Sequence, residues 1–171
     1  NYVPHRIVWV ARIDGVKRPL DLIPVMKLVT REISDAKLVI VGKGDEKLEA
    51  ELRKLIKENH LEKNIECAGF TMDVGRYYSE ASLFVSTSSS EGYGLTFYEA
   101  QAYGLPIVCY EMPWLEVEES GAGVVSVTQE NVVLMAQAII DILKDSDKVK
   151  KLGAAGRKHI EEVSSIDIGE A

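Results

Sequence analysis

Short runs of consecutive apolar residues alternate along this chain with segments in which apolar residues recur every three or four positions. Continuous runs are typical of strands buried on both faces of a parallel sheet, and the wider spacing is typical of amphipathic helices. The runs predict six strands, at residues 6–11, 36–41, 65–70, 81–86, 107–110 and 123–127. The sequence therefore predicts an α/β domain with a Rossmann-like, doubly wound, mostly parallel sheet and helices on both faces.

Helix signals lie between these strands. Pro19 is a plausible helix start, although Pro24 would kink or delay that helix. Asp45 and Asp73 are predicted to cap the helices that follow them. Further helices are predicted from about residue 95 to 103, where Gly104 and Pro106 would end the helix, and over residues 132–143 and 149–160.

Composition narrows the class of protein. The 171 residues are 46% hydrophobic, which suits one globular domain. The net charge of −7 argues against a nucleic-acid binder, and no apolar run approaches the ~18–20 residues of a membrane helix. Cys67 and Cys109 are expected to be buried free thiols, and the three histidines show no metal-ligand spacing. Because the chain begins at Asn1 without Met, we expect it to be a segment of a longer protein.

The stretch from Glu91 to Glu99 carries the most informative chemistry. It follows a predicted buried strand and opens a predicted helix, whose first N–H groups favour an anion such as phosphate. Gly92 and Gly94 would let a ligand approach the backbone closely. Glu99 is placed to accept hydrogen bonds from a ribose diol, and Glu91 to contact a sugar hydroxyl or a developing positive charge. The alternative is a glycine turn with two surface glutamates.

Two further loops belong to the same predicted edge of the sheet. Arg12 and Lys17 follow the first strand and would neutralise a diphosphate; the alternative is a solvated basic loop. Gly42-Lys43-Gly44 begins like a dinucleotide fingerprint, but Lys47 stands where its last glycine would be. That turn therefore either binds a ligand or is only a strand-to-helix turn that needs a positive φ.

Two other segments carry weaker expectations. The polar residues 86–90 are interpreted as a hydrated loop. Trp9 is expected in the core, whereas Trp114 either lies exposed near the ligand cleft or serves packing.

These motifs together are similar to the C-terminal domain of family 4 retaining glycosyltransferases, which have the GT-B fold. The E-x(7)-E motif runs from Glu91 to Glu99 and continues through residues 100–108, and Arg12 and Lys17 resemble the R-x(4)-K pair of that family. Ala11 stands where the family often has glycine, and Arg18 follows Lys17 in place of a small residue. The resemblance covers nearly the whole chain.

The resemblance implies one nucleotide-sugar-binding domain over residues 1–171, with the acceptor domain on an N-terminal half absent from this sequence. Arg12 and Lys17 would hold the donor diphosphate, Glu91 would address the donor sugar, and Glu99 would bind the ribose. These three residues, Glu91, Arg12 and Lys17, are the implied catalytic groups. The remaining implied donor contacts are Gly42, then Gly92, Tyr93, Gly94 and Leu95 at the sugar and distal phosphate, and Phe70 and Thr71 towards the base.

The resemblance also implies a reaction. Sugar would pass with retention from a UDP- or GDP-linked donor to a glycan or lipid-linked acceptor, without a metal or other cofactor. The full protein would act in the cytoplasm, in some members at the inner membrane face, and the isolated domain would turn over little or nothing. The alternatives are a GT-B nucleotide-sugar epimerase and a non-enzymatic α/β interaction module.

Overall fold

The fold is that of a computed structural model, which describes residues 2–112 and 122–168. Trp114 lies outside these residues. A 3₁₀ turn occupies Pro19–Asp21. The strands and helices of the described ranges are β1 (Arg6–Val10), α1 (Leu22–Glu32), β2 (Lys37–Val41), α2 (Glu46–Glu58), β3 (Ile65–Gly69), α3 (Val74–Glu80), β4 (Leu83–Ser86), α4 (Leu95–Ala102), β5 (Ile107–Tyr110), β6 (Val124–Val127), α5 (Val132–Leu143) and α6 (Ser146–Ile168).

The strands form one sheet in the order β3-β2-β1-β4-β5-β6, and every pairing is parallel. This is the doubly wound order in which the chain reverses direction across the sheet between β1 and β4. Ile7 pairs with Leu83 and Val8 with Phe84 at this reversal. The predicted Rossmann-like fold is confirmed, and the loops after β1 and β4 lie side by side.

Each central strand is buried on both faces, as the continuous apolar runs predict. Ile7 and Trp9 of β1 point into one core with α1, α2 and α5, while Val8 points into a second core on the other face. The second core is closed by Tyr78 of α3 and Phe97 of α4. Trp9 is 1% exposed, which confirms its predicted core position.

The starts of α1, α2 and α3 follow the predictions in part. Pro19 begins a 3₁₀ turn and α1 begins only at Leu22, so the helix is delayed, and Pro24 lies in its first turn, where its missing N–H has no intrahelical partner. Asp45 caps α2 as predicted, accepting from the Leu48 N–H at 2.9 Å. Asp73, however, makes no side-chain cap to α3; instead its own N–H donates to the Thr71 hydroxyl at 3.0 Å.

The last helix, α6, is longer than the predicted span of 149–160. It begins at Ser146 because the Asp145 carboxylate accepts from the N–H groups of Asp147 and Lys148, both at 3.1 Å. α6 packs against α4 and so supports the helix that follows β4.

The two cysteines differ in burial. Cys109 is fully buried, as predicted, but Cys67 is only half-buried because it lies on the edge strand β3. Neither forms a disulfide bond. Within the described ranges, no helix combines the length and apolar character needed to cross a bilayer.

Candidate functional site

The loop after β1, residues 11–18, lies at the carboxyl edge of the sheet and carries three cations, Arg12, Lys17 and Arg18; we call it the cation loop. Asp14 shapes it, because one carboxylate oxygen accepts from the N–H groups of Val16 at 3.0 Å and Lys17 at 3.1 Å. Arg12 is exposed at the start of the loop, and Lys17 is partly buried towards its end.

The loop after β4, residues 87–94, is anchored to the cation loop; we call it the glutamate loop. The Thr87 hydroxyl accepts from Trp9 Nε1 at 3.0 Å and donates to the Lys17 carbonyl at 2.7 Å. Thr87 is fully buried, and Ser88 is 1% exposed. The interpretation of residues 86–90 as a hydrated loop is therefore wrong for its first three members, which are buried and bond protein groups of the core, the cation loop and the glutamate loop itself.

An ion pair joins the two loops at their functional ends. Lys17 Nζ lies 2.9 Å from Glu91 Oε2, and the two side chains are 21% and 11% exposed. The Ser88 hydroxyl donates to Glu91 Oε1 at 2.7 Å, which fixes the carboxylate from its other side. Such a partly desolvated pair interacts more strongly than a surface pair. Lys17 and Glu91 therefore lie in direct contact in the site, as an ion pair.

The N-terminus of α4 completes this corner. Gly94 has φ +64°, a left-handed conformation that favours glycine, and its carbonyl accepts the first helical bond from the Phe97 N–H at 2.9 Å. The N–H groups of Leu95 and Thr96 precede that first bond and open the helix towards solvent. An anion placed there meets the positive end of the helix dipole.

A cavity of about 270 Å³ opens between the two loops, and we call it the polar cavity because the charged side chains of Arg12, Lys17 and Glu91 line it. It brings together most of the predicted phosphate and sugar residues. Gly92 is exposed and is not among the lining residues. The lining consists of Val10, Ala11, Arg12, Lys17, Glu91, Tyr93, Gly94, Leu95 and Thr96.

An apolar cavity of about 410 Å³ adjoins the polar one and shares Arg12 with it. Phe70, 63% exposed, and Thr71 form its outer wall, and Lys43 Nζ lies 6.0 Å from the centre of the Phe70 ring. A flat heterocycle suits this apolar slot. The full lining is Val10, Ala11, Arg12, Val41, Gly42, Lys43, Phe70, Thr71 and Val74.

Gly42 has a structural reason to be glycine. Its φ is +139°, and a Cβ there would lie 1.8 Å from the Ala11 carbonyl oxygen. Its N–H donates to the Gly69 carbonyl at 2.8 Å. The turn at Gly42 therefore lets the ends of β1, β2 and β3 approach one another beneath the apolar cavity.

Glu99 lies apart from the other predicted residues. It is exposed on α4 and lines neither cavity. Its Oε2 accepts from the hydroxyl of Tyr78 on α3 at 2.8 Å. Nothing in the spacing of Tyr78 and Glu99 along the chain indicates this contact, and sequence reasoning missed it.

Arg18, the residue after Lys17, adopts φ +47°, a conformation in which glycine would be unstrained. Its guanidinium lies 3.0 Å from Asp21 and 2.7 Å from Glu130. The Asp21 hydrogen bond and charge raise the pKa of Arg18, and Asp21 also accepts from the buried Tyr110 hydroxyl at 2.6 Å. These contacts offset the strain of the turn and hold the end of the cation loop against β5.

Metal-ligand chemistry has little basis in the residues that the structure describes. Among them, no group of three or more His, Cys, Asp or Glu side chains is placed to hold an ion. The charges that converge on the polar cavity are two cations and one carboxylate.

Comparison with known proteins gives one family. Residues 4–159 match the family described as Glycosyl transferases group 1. The chain is 30% identical over 162 residues to the poly(glycerol-phosphate) alpha-glucosyltransferase of Bacillus subtilis (strain 168). The aligned residues make up 94% of this chain and 24% of that protein.

Solved structures agree on the fold. A mutant of S. aureus TarM in complex with fondaparinux, alpha-GlcNAc-glycerol and UDP has a TM-score of 0.87 at 25% identity, covering 93% of this chain and 32% of that one. The C-terminal domain of LpcC, a glycosyl transferase group 1 family protein from Francisella tularensis, has a TM-score of 0.80 at 19% identity, covering 92% and 85%. The chain thus spans about a third or less of the first two proteins, but most of an isolated C-terminal domain.

Proposed function

Because this chain belongs to the group 1 glycosyltransferases and has the fold of a GT-B C-terminal domain, we propose that it is the donor-binding domain of a retaining, family 4 enzyme. The domain holds a nucleotide-diphosphate-sugar, and an N-terminal domain supplies the acceptor. The acceptor is a glycan or a lipid-linked glycan, and the reaction takes place in the cytoplasm. On its own the domain binds donor and turns over little or none.

One observation carries this proposal: the loops after β1 and β4 enclose a polar cavity that contains two cations and the start of a helix. Ligands of doubly wound folds bind at this reversal of strand order. Arg12 offers a planar guanidinium that binds two phosphate oxygens at once, and the N–H groups at Leu95 and Thr96 add uncharged donors. The donor diphosphate is therefore assigned to the polar cavity.

The adjoining apolar cavity accommodates the base. Phe70 provides an exposed ring, and Thr71 lies beside it on the same wall. Uracil is the preferred base, because TarM, with 25% identity and the same fold, was solved with UDP. The ribose then lies between the cavities, and its hydroxyls reach Glu99 from the side of α4.

The chemistry is electrostatic. When the bond between the sugar and the distal phosphate breaks, negative charge builds on the phosphate and positive charge on the sugar. Arg12 and Lys17 stabilise the negative charge on the phosphate. Glu91 stabilises the positive charge on the sugar and positions the sugar hydroxyls. Because Lys17 contacts Glu91, the donor must insert its phosphate beside an existing ion pair.

The proposal is tested by titrating the domain with UDP, UDP-glucose, GDP-mannose and ADP-glucose in a calorimeter. Arg12→Ala is expected to weaken binding of the preferred nucleotide by about 10- to 100-fold, since a charge-assisted hydrogen bond is worth about 1.5–3 kcal/mol. Glu99→Ala is expected to cost about tenfold. Arg31→Ala is the control, because Arg31 is an exposed arginine in the last turn of α1, at the opposite edge of the sheet.

The outcomes separate the alternatives. Binding that survives both Arg12→Ala and Glu99→Ala would refute the assignment of the site. A domain that binds none of these nucleotides would instead be an interaction module. Release of UDP from UDP-N-acetylglucosamine by the full-length enzyme without an acceptor would identify an epimerase.

A further inference from the structure

The Tyr78 hydroxyl makes one polar contact that the proposed function does not use. It donates to Glu99 Oε2 at 2.8 Å across the gap between α3 and α4. The hydrogen bond occupies one of the four lone-pair directions of the carboxylate and leaves Oε1 open. A carboxylate held in this way can still accept from two vicinal hydroxyls.

Tyr78 is a rigid support. Its side chain is 2% exposed, and its ring lies 5.4 Å from the Tyr103 ring in a stacked arrangement and 6.1 Å from the Phe84 ring. Burial and the Glu99 hydrogen bond raise the pKa of Tyr78, so its hydroxyl stays protonated and donates throughout the working pH range. Glu99, by contrast, is exposed, and an exposed glutamate samples several rotamers unless a partner restricts it.

A purely structural reason for this hydroxyl is weak. Tyrosine in a core cluster with Phe84 and Phe97 buries its ring as well as phenylalanine would, and only the hydroxyl distinguishes the two. Of the described side chains, the one that this hydroxyl bonds is Glu99, the residue assigned to the ribose.

We propose that Tyr78 is a positioning residue of the donor site, whose hydroxyl holds the Glu99 carboxylate in the orientation that accepts the two ribose hydroxyls. The inference rests on the proposed function, because it presupposes that Glu99 binds ribose. Tyr78 itself touches no part of the donor. It acts by restricting Glu99 before the nucleotide arrives, so that less rotamer entropy is lost on binding.

The test compares UDP with 2′,3′-dideoxy-UDP, which lacks both ribose hydroxyls, on the wild-type protein and on Tyr78→Phe. Tyr78→Phe is expected to weaken UDP binding about fivefold to twentyfold and to change 2′,3′-dideoxy-UDP binding less than twofold. Tyr103→Phe is the matched control: it removes the other hydroxyl of the same ring stack, which is not bonded to Glu99, and both affinities are expected to stay within twofold.

Each result decides the inference. Equal losses for both nucleotides in Tyr78→Phe would mean a merely structural role and would overturn it, while the proposed function would stand. Absence of UDP binding by the wild-type protein would overturn both. If circular dichroism shows Tyr78→Phe to be unfolded while Tyr103→Phe is folded, the Tyr78 hydroxyl is needed for the fold itself, and the inference is overturned.

Discussion

Replacing Thr87 with valine tests whether the two loops of the site are joined by buried hydrogen bonds. Valine keeps the shape and the β-branch of threonine but has no hydroxyl. The Thr87 hydroxyl links Trp9 Nε1, at 3.0 Å, to the Lys17 carbonyl, at 2.7 Å. The substitution leaves both groups without this partner while the backbone keeps its path.

The cost follows from the burial of those groups. Trp9 is 1% exposed, so its indole N–H loses its partner in a site closed to water, which costs about 1–3 kcal/mol. The Lys17 carbonyl is partly buried and recovers some hydration, so it adds about 1 kcal/mol. The extra methyl group returns about 0.8 kcal/mol. We expect a net loss of about 1–3 kcal/mol, or about 2–12 °C in Tm for a domain of this size.

Urea denaturation followed by tryptophan fluorescence measures this loss. Ser89→Ala is the matched control, because the Ser89 hydroxyl donates to the Val16 carbonyl of the same cation loop at 3.1 Å but in an exposed setting. Water replaces that bond, and we expect a loss below about 0.5 kcal/mol. If Thr87→Val lay within about 0.5 kcal/mol of Ser89→Ala, the hydroxyl would not anchor the loops as the distances indicate.

Two further predictions concern the turn beneath the site and the thiols. Gly42→Ala should lower the free energy of unfolding by about 2–4 kcal/mol, because the new Cβ would lie 1.8 Å from the Ala11 carbonyl oxygen. Gly15→Ala is the control, because a Cβ at Gly15 meets open space and should not lower the free energy of unfolding. Urea denaturation measures both. Burial raises the pKa of the Cys67 thiol, so iodoacetamide at pH 8 should alkylate Cys67 more slowly than it alkylates the exposed thiol of glutathione. Cys109 is fully buried, so it should be alkylated more slowly still. Mass spectrometry gives the rates, and faster labelling of Cys109 would contradict the burial.

The strands could be predicted from sequence because their signal is local. Val8 and its neighbours Ile7 and Trp9 are all apolar, and only a strand with a core on each face buries all three. The predicted meeting of Arg12, Lys17 and Glu91 likewise depends only on parallel strands ending at one edge of the sheet. The structure adds that β1 and β4 are direct neighbours, which no local pattern indicates.

Contacts between distant polar residues could not be predicted. Thr87 is a polar residue in a serine-rich stretch, and its composition favours a hydrated loop; its partner Trp9 lies 78 positions earlier. The pairing of Tyr78 with Glu99 depends on how α3 and α4 pack, and the turn at Arg18 depends on Glu130. Each is a tertiary contact that offsets a local preference, and local preference is all that the sequence pattern contains.

Because β1 pairs with β4, the cation loop meets the glutamate loop only after the chain has closed a long loop through β2 and β3. Closing long loops costs entropy before any contact rewards it, so parallel pairings of this kind form late and slowly. During synthesis Arg12 and Lys17 leave the ribosome with β1, β2 and β3, yet Thr87, which anchors their loop, and their anionic counterpart Glu91 follow only with β4. Nucleotide binding by a nascent or refolding chain would thus report completion of the sheet.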